Sequence, residues 1–188
     1  PLLNHYAKIG DVYFESVEDA FKAAKAGDEV VILKAGTYEL KTSGKDITIT
    51  GAVDGVVFDN IGARNMGGAD VIFNNVTFDY YPNVNYTGLQ HSGNLVYNDC
   101  TFNGQVFLYG TSETFNKCTF NQNSADAYNV WTYSAKKVAF NECTFNQESK
   151  DAYNVWTYGA DKVEFNKCTF NSAGKSVLVY TETKTALT

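Results

Sequence analysis

FNECTFN, the stretch from Phe140 to Asn146, recurs almost unchanged and decides the fold of this chain. FNKCTFN occupies positions 115–121 and 165–171, so successive copies begin 25 residues apart. A second stretch, AYNVWTY, has the same spacing at positions 127–133 and 152–158. Looser copies, YNDCTFN at 97–103 and FNNVTFD at 73–79, precede them. A fixed period of this length indicates stacked structural repeats.

Within one repeat, apolar and polar residues alternate in three short segments. Val138 and Phe140 form one apolar pair, Cys143 and Phe145 form the next, and residues 141–142 lie between them. We expect Asn141 to take the left-handed conformation that such a sharp corner needs. The third segments are 105–109, 128–133, 153–158 and 176–180. Three strands per repeat without a helix between them predict the coil of a parallel β-helix.

Stacking turns equivalent positions into columns. The predicted inward aromatic columns are Phe73, Tyr97, Phe115, Phe140, Phe165 and Phe78, Phe102, Phe120, Phe145, Phe170. The predicted corner column, a ladder of amides, is Asn74, Asn98, Asn116, Asn141, Asn166. The four cysteines also form a column, Cys100, Cys118, Cys143, Cys168. We expect free core thiols here, with disulfides between neighbouring coils as the alternative, and no metal site, because both histidines lie outside the column.

The N-terminal region predicts a short capping helix. Residues 16–19 form a capping box, and Val17, Ala20, Phe21 and Ala24 share one face. Within the capping region 16–26 we expect a helix from Val17 to Lys25, which covers the open end of the coils that follow at 29–180. A chain of 188 residues accommodates this as one domain over 1–188, which we expect to be a segment of a longer protein.

The whole pattern resembles the right-handed parallel β-helix of the pectate-lyase-like superfamily, over about residues 29–180. The N-terminal phrase Gly27-Asp28, Leu33, Gly36-Thr37-Tyr38 is similar to one that follows the first helix in its members. The resemblance implies an all-β, single-stranded, right-handed parallel β-helix of about seven coils with a short N-terminal capping helix. The superfamily includes lyases, hydrolases, phage tailspikes, adhesins and inert spacers, so the fold alone assigns no function.

Composition limits the choice of partner. The formal charge of −6 and a pI near 4.9 disfavour nucleic acid and anionic membranes. No apolar run approaches the roughly 20 residues of a membrane-spanning helix, so we expect no membrane insertion.

The third segment of each repeat carries more aromatic residues than a core requires. If Val130 and Thr132 point inward, Trp131 and its equivalents point outward. An outward aromatic stripe of this size predicts a contact surface, with Asn129 and Asn154 supplying amide hydrogen bonds beside the rings and Asp126 and Asp151 completing a polar margin. The alternative is that a long loop, a neighbouring domain or a second copy of the chain covers the stripe. The predicted binding residues are Phe107, Tyr109, Asn129, Trp131, Tyr133, Asn154, Trp156, Tyr158 and Tyr180.

Catalysis has weaker support in the sequence than binding. Lyases of the superfamily use acidic residues for calcium and an Arg or Lys as the base, but this chain has one arginine, Arg64. Nothing places Asp59, Asp70 and Asp99 together, and the near-identical repeats leave no unique pocket. We therefore predict an extracellular or cell-surface, adhesin-like module of bacterial type that binds a glycan or a protein, without catalytic residues, metal or cofactor. The alternatives are a polysaccharide lyase or hydrolase and an inert spacer.

Overall fold

The computed structural model describes residues 4–42, 44–59, 68–79, 86–90, 93–109, 112–122, 128–133, 135–173, 175–180 and 186–187. For 86–90, 107, 109, 133, 158, 175–180 and 186–187 the description covers the backbone alone.

Three sheets contain nearly all of the described secondary structure. The first has, in spatial order, β2 (Val12–Phe14), β1 (Ala7–Ile9), β3 (Glu29–Ile32), β5 (Ile47–Gly51), β7 (Val71–Asn74), β10 (Asn94–Asn98), β13 (Ser112–Asn116), β16 (Lys137–Asn141), β19 (Lys162–Asn166) and β22 (Ala186–Leu187). The second has β4 (Gly36–Tyr38), β6 (Val56–Asp59), β8 (Thr77–Asp79), β11 (Thr101–Asn103), β14 (Thr119–Gln122), β17 (Thr144–Gln147) and β20 (Thr169–Ser172). The third has β9 (Tyr86–Gln90), β12 (Gln105–Tyr109), β15 (Val130–Tyr133), β18 (Tyr153–Tyr158) and β21 (Lys175–Tyr180).

The chain visits the three sheets in turn, and each strand pairs in parallel with its equivalent in the next turn. Phe115, for example, is in register with Tyr97 on one side and with Phe140 on the other. The predicted parallel β-helix is therefore confirmed as a parallel β-solenoid. It has about four turns instead of the seven predicted, because the third sheet begins only at β9 in the described part of the chain.

The predicted aromatic columns form the core. Phe120 stacks between Phe102 and Phe145, with ring centroids 4.9 and 4.8 Å apart and planes within 8° of parallel. Edge-to-face contacts join the two columns, as between Phe115 and Phe120 at 5.3 Å. Such pairs stabilise the core beyond the burial of their area. Phe165 and Phe170 are partly exposed, because they belong to the last turn.

The corner asparagines form the expected ladder. Asn116 Nδ2 donates to Asn98 Oδ1 and accepts through its own Oδ1 from Asn141 Nδ2, both at 2.8 Å. The prediction that Asn141 takes the left-handed conformation was wrong. The positive φ falls on the next residue, 54° at Glu142 and 53° at Lys117. Asn141 is the last residue of β16, where extended backbone aims its amide along the ladder.

The cysteine column consists of free thiols, as predicted. Cys100, Cys118 and Cys143 are buried, and Cys168, in the last turn, is partly exposed. Each thiol donates to a backbone carbonyl of the preceding turn, for example Cys118 Sγ to the Tyr97 oxygen at 3.4 Å. Burial raises the pKa of the Cys118 thiol well above its ordinary value. The column is therefore part of the core.

The N-terminal helix, α1 (Val17–Ala23), covers the first turn as expected. Ser16 Oγ accepts a 3.0 Å hydrogen bond from the Asp19 amide, and the predicted apolar face is buried. The ring of Phe21 lies 6.3 Å from that of Phe58 in the core. The helix ends before Lys25 because Ala24 leaves helical geometry at ψ 143°. The antiparallel pair β1–β2, which joins β3 at this end, was not predicted, because its three-residue strands show no repeat.

Candidate interaction surface on the third sheet

The third sheet aligns the residues of the predicted stripe turn by turn. Trp131 is in register with Trp156, and Tyr133 with Tyr158. Phe107 precedes Trp131 in the same column, and Leu178 follows Trp156. The side chains of five predicted binding residues lie outside the described part of the structure: Phe107, Tyr109, Tyr133, Tyr158 and Tyr180.

Period-two alternation places both tryptophans on the outer side of the sheet. Val130 and Thr132 flank Trp131 and have no exposed surface, and the same holds for Val155 and Thr157 around Trp156. Both indoles are partly exposed. Both indoles therefore lie on the outer side of the sheet, and their role in binding stays a prediction.

The two indoles stack on each other along the axis of the solenoid. Their centroids are 5.1 Å apart, and their planes lie 7° from parallel. Each ring therefore turns one face toward the other. Both indole nitrogens, Trp131 Nε1 and Trp156 Nε1, are shielded from solvent.

Two tyrosines that were not predicted as site residues extend this surface. Tyr128 contacts Trp156 edge to face, with centroids 5.0 Å apart, and its ring lies 6.3 Å from that of Tyr153. Burial and the nearby Tyr153 raise the pKa of the Tyr128 phenol, so this phenol stays neutral at physiological pH. The signal was present in the sequence, since Tyr128 and Tyr153 belong to the repeated AYNVWTY stretch. We call Tyr128, Trp131, Tyr153 and Trp156 the aromatic patch.

Asn129 and Asn154 do not face a ligand, so this part of the predicted site was wrong. Both are completely buried. Asn129 Nδ2 donates to Asn154 Oδ1 at 2.7 Å and to the Asn146 carbonyl at 3.0 Å. Asn129 precedes the first residue of β15, so the alternation that turns Trp131 outward does not extend to it. Asn154 is buried together with the adjacent Val155, which breaks the alternation in β18.

Two of the three acidic residues considered as catalytic candidates, Asp70 and Asp99, have structural positions. Asp70 Oδ1 accepts from the Asn94 amide, and Asp46 Oδ1 accepts from the Asp70 amide, both at 2.8 Å. Asp99 occupies a left-handed corner with φ 53°. Within the described ranges, no three His, Cys, Asp or Glu side chains come together in a way that could hold a metal ion.

A cleft of about 360 Å³ lies at the N-terminal end, against α1 and β4. Its walls include Tyr6, Tyr38 and the buried Val17. Two of its carboxylates are already paired, Glu18 with Lys22 at 3.0 Å and Glu39 with Lys41 at 3.2 Å. It is therefore a less distinctive recognition surface than the aromatic patch.

The described residues include no helix that is long and apolar enough to cross a membrane. Comparison of the chain with known protein families, with curated proteins and with solved structures gave no match.

Proposed function

We propose that this chain is a non-catalytic recognition module that binds a protein partner through the aromatic patch. The observation that carries the proposal is the partly exposed, stacked pair of Trp131 and Trp156 on the outside of the third sheet. Aromatic rings are enriched at the energetic centres of protein interfaces, and a contiguous exposed aromatic group marks an interaction site.

The orientation of the rings favours a protein over a glycan. A sugar stacks on an open ring face, and its hydroxyls need polar partners at the rim of the site. Here Trp131 and Trp156 turn faces toward each other, and the amides of Asn129 and Asn154 are buried beneath the sheet. Ring edges pack well against apolar and aromatic side chains of a partner, in the edge-to-face geometry that Tyr128 already shows with Trp156.

The proposal includes an extracellular or cell-surface location and an adhesin-like role, and it places the solenoid in the right-handed, pectate-lyase-like superfamily. Its support is the parallel solenoid with asparagine corners and a helix over its first turn, together with the resemblance of the repeats. The low proportion of charged residues, 19%, and the aromatic outer surface suit a module that presents a binding face.

Binding of fluorescently labelled protein to a panel of bacterial and animal cells tests this function. We expect binding that is lost when the cells are treated with protease and kept when they are treated with glycosidases. The double variant Trp131→Ala/Trp156→Ala should lose binding at least tenfold, because truncation of central aromatic residues typically costs 2 kcal/mol or more. Tyr13→Ala, an exposed tyrosine on β2, is the matched control and should bind as wild type does.

Three outcomes would contradict the proposal. Loss of binding after glycosidase treatment would assign a glycan ligand instead. A wild-type dimer that the double variant converts to a monomer, measured by light scattering, would show that a second copy covers the patch. Unsaturated or reducing sugar ends released from acidic polysaccharides, with or without calcium, would restore the enzyme alternative.

A further inference from the structure

Glu113 interrupts an inward column of aliphatic residues in the first sheet. The register places it between Leu95 of β10 and Val138 of β16, and Val163 follows in the next turn. These three aliphatic side chains are at most 1% exposed, and Glu113 is 2% exposed. Among the residues whose burial the structure describes, Glu113 is the one acidic or basic side chain in the buried set.

The Glu113 carboxyl has no hydrogen-bond partner among the residues that the structure describes. Both of its oxygens are shielded from solvent and make no hydrogen bond, and the same is true of the Tyr97 hydroxyl. Tyr97 lies on the neighbouring β10, and burial, with smaller contributions from Glu113, Cys100 and Cys118, raises the pKa of its phenol. The two strands that pair with β13 contribute Leu95 and Tyr97 from β10, and Val138 and Phe140 from β16, to the core. No described side chain in this set carries a positive charge.

An isolated carboxylate in an apolar core is strongly disfavoured relative to the neutral acid. Burial accordingly raises the pKa of the Glu113 carboxyl from 4.5 to about 8. Between these two values the folded chain holds a proton that the unfolded chain releases. The contribution to stability is therefore complete below pH 4.5 and is lost progressively as the pH rises through about 8.

We propose that Glu113 is a pH-sensitive element of the solenoid core. The proton on its carboxyl keeps the turn from β13 to β15 packed, and loss of this proton as the solution becomes mildly alkaline loosens that turn. The same turn carries Trp131 on β15, so loosening reaches the aromatic patch. The inference does not depend on what the patch binds.

Urea denaturation at pH 5.5, 6.5, 7.5 and 8.5, followed by tryptophan fluorescence and circular dichroism, tests the proposal. The comparison uses wild type, Glu113→Gln, which cannot ionise, and Glu148→Gln, an exposed control. Relative to Glu113→Gln, the folding equilibrium constant of the wild type should fall about tenfold per pH unit from 5.5 to about 8. Glu148→Gln should follow the wild type.

Hydrogen exchange shows which residues lose protection when Glu113 ionises. Wild type and Glu113→Gln are always compared at equal pH. At pH 8.5, amides of residues 112–122 should exchange faster in the wild type, and at pH 5.5 the two proteins should agree. Glu113→Leu, which continues the Leu95 column, provides a second non-ionising variant if the buried glutamine prevents folding. The same pH profile in wild type and in a folded non-ionising variant, or equal exchange at pH 8.5, would overturn the proposal.

Discussion

Asn129 Nδ2 donates a 2.7 Å hydrogen bond to Asn154 Oδ1 inside the solenoid, and this contact joins two successive turns beneath the aromatic patch. A second hydrogen of the same amide bonds to the carbonyl oxygen of Asn146 at 3.0 Å. One side chain thus links the third sheet to the next turn and to the second sheet. The patch rests on a polar pair that water does not reach.

We expect Asn129→Ala to lower the free energy of unfolding by roughly 2–3 kcal/mol. The variant removes the donor to Asn154 Oδ1 and to the Asn146 carbonyl, and a buried polar group that loses its partner costs about 1–3 kcal/mol. Urea denaturation measures the change. Asn166→Ala, which removes an exposed amide of the corner ladder, is the control and should cost less than about 1 kcal/mol. Equal losses in the two variants would show that burial of the pair is not what stabilises this position.

Relief of backbone strain should stabilise the corners. Glu142 has φ 54°, a conformation that costs a residue other than glycine or asparagine about 1 kcal/mol. Asn75 adopts the same conformation at the equivalent corner, with φ 52°, so Glu142→Asn fits the geometry. We expect a gain of up to about 1 kcal/mol and a corresponding rise in melting temperature. The exposed Lys136 lacks a positive φ, and Lys136→Asn should give no gain.

The thiol column should resist modification in the folded protein. Three of the four thiols are buried, and the neighbouring Cys143 thiol raises the pKa of the partly exposed Cys168. We expect an aromatic disulfide reagent at pH 8 to react slowly with Cys168 alone, since the thiolate is the reactive form. In guanidinium chloride it should titrate all four cysteines.

Cys168→Ser is the control for this experiment, and it should abolish the slow native-state reaction. Fewer than four reactive thiols in the unfolded wild type would instead reveal a disulfide in the column. Rapid reaction of two or more thiols in the folded state would show that the core opens at the cysteine column.

Truncation within an aromatic column should cost more in the middle than at the end. Phe145 stacks between Phe120 and Phe170 and is fully buried, whereas Phe170 is partly exposed in the last turn. We expect Phe145→Ala to lower the free energy of unfolding by about 3–5 kcal/mol, because it leaves a cavity lined by rings. Phe170→Ala should cost about half as much in the same urea titration, since its site is already open to water. Equal losses in the free energy of unfolding would show that Phe170 is buried as completely as Phe145.

The predictions for the core succeeded because a repeat converts local patterns into tertiary contacts. Once FNECTFN is known to recur every 25 residues, in-register stacking fixes the neighbours of Phe140, Asn141 and Cys143 without further information. The capping helix was likewise readable from Ser16 and its buried face. Its end was misplaced by two residues, because the boundary depends on the backbone of Ala24.

Predictions failed where one residue departs from its column or from strict alternation. Counting in twos from the tryptophans predicts that Asn129 and Asn154 point outward. Asn129 instead lies just before β15, Asn154 lies where the alternation in β18 breaks, and both are buried. No prediction was made for Glu113, although it is in register with Leu95 and Val138 and alternation from the buried Phe115 places it inward. A period fixes which residues are equivalent. It does not say which of them differs from its column in residue type or in orientation.

The sequence by itself determined the parallel solenoid, its aromatic columns, its amide ladder and the outward direction of Trp131 and Trp156, because these follow from period and alternation. Only the tertiary structure decided that the two indoles stack face to face, that the asparagines beside them are buried, and that Glu113 lies unpaired in the core. These features depend on side-chain rotation and on packing between turns. Periodicity specifies which backbone positions are neighbours, whereas the orientation and solvation of each side chain are set by the three-dimensional packing around it.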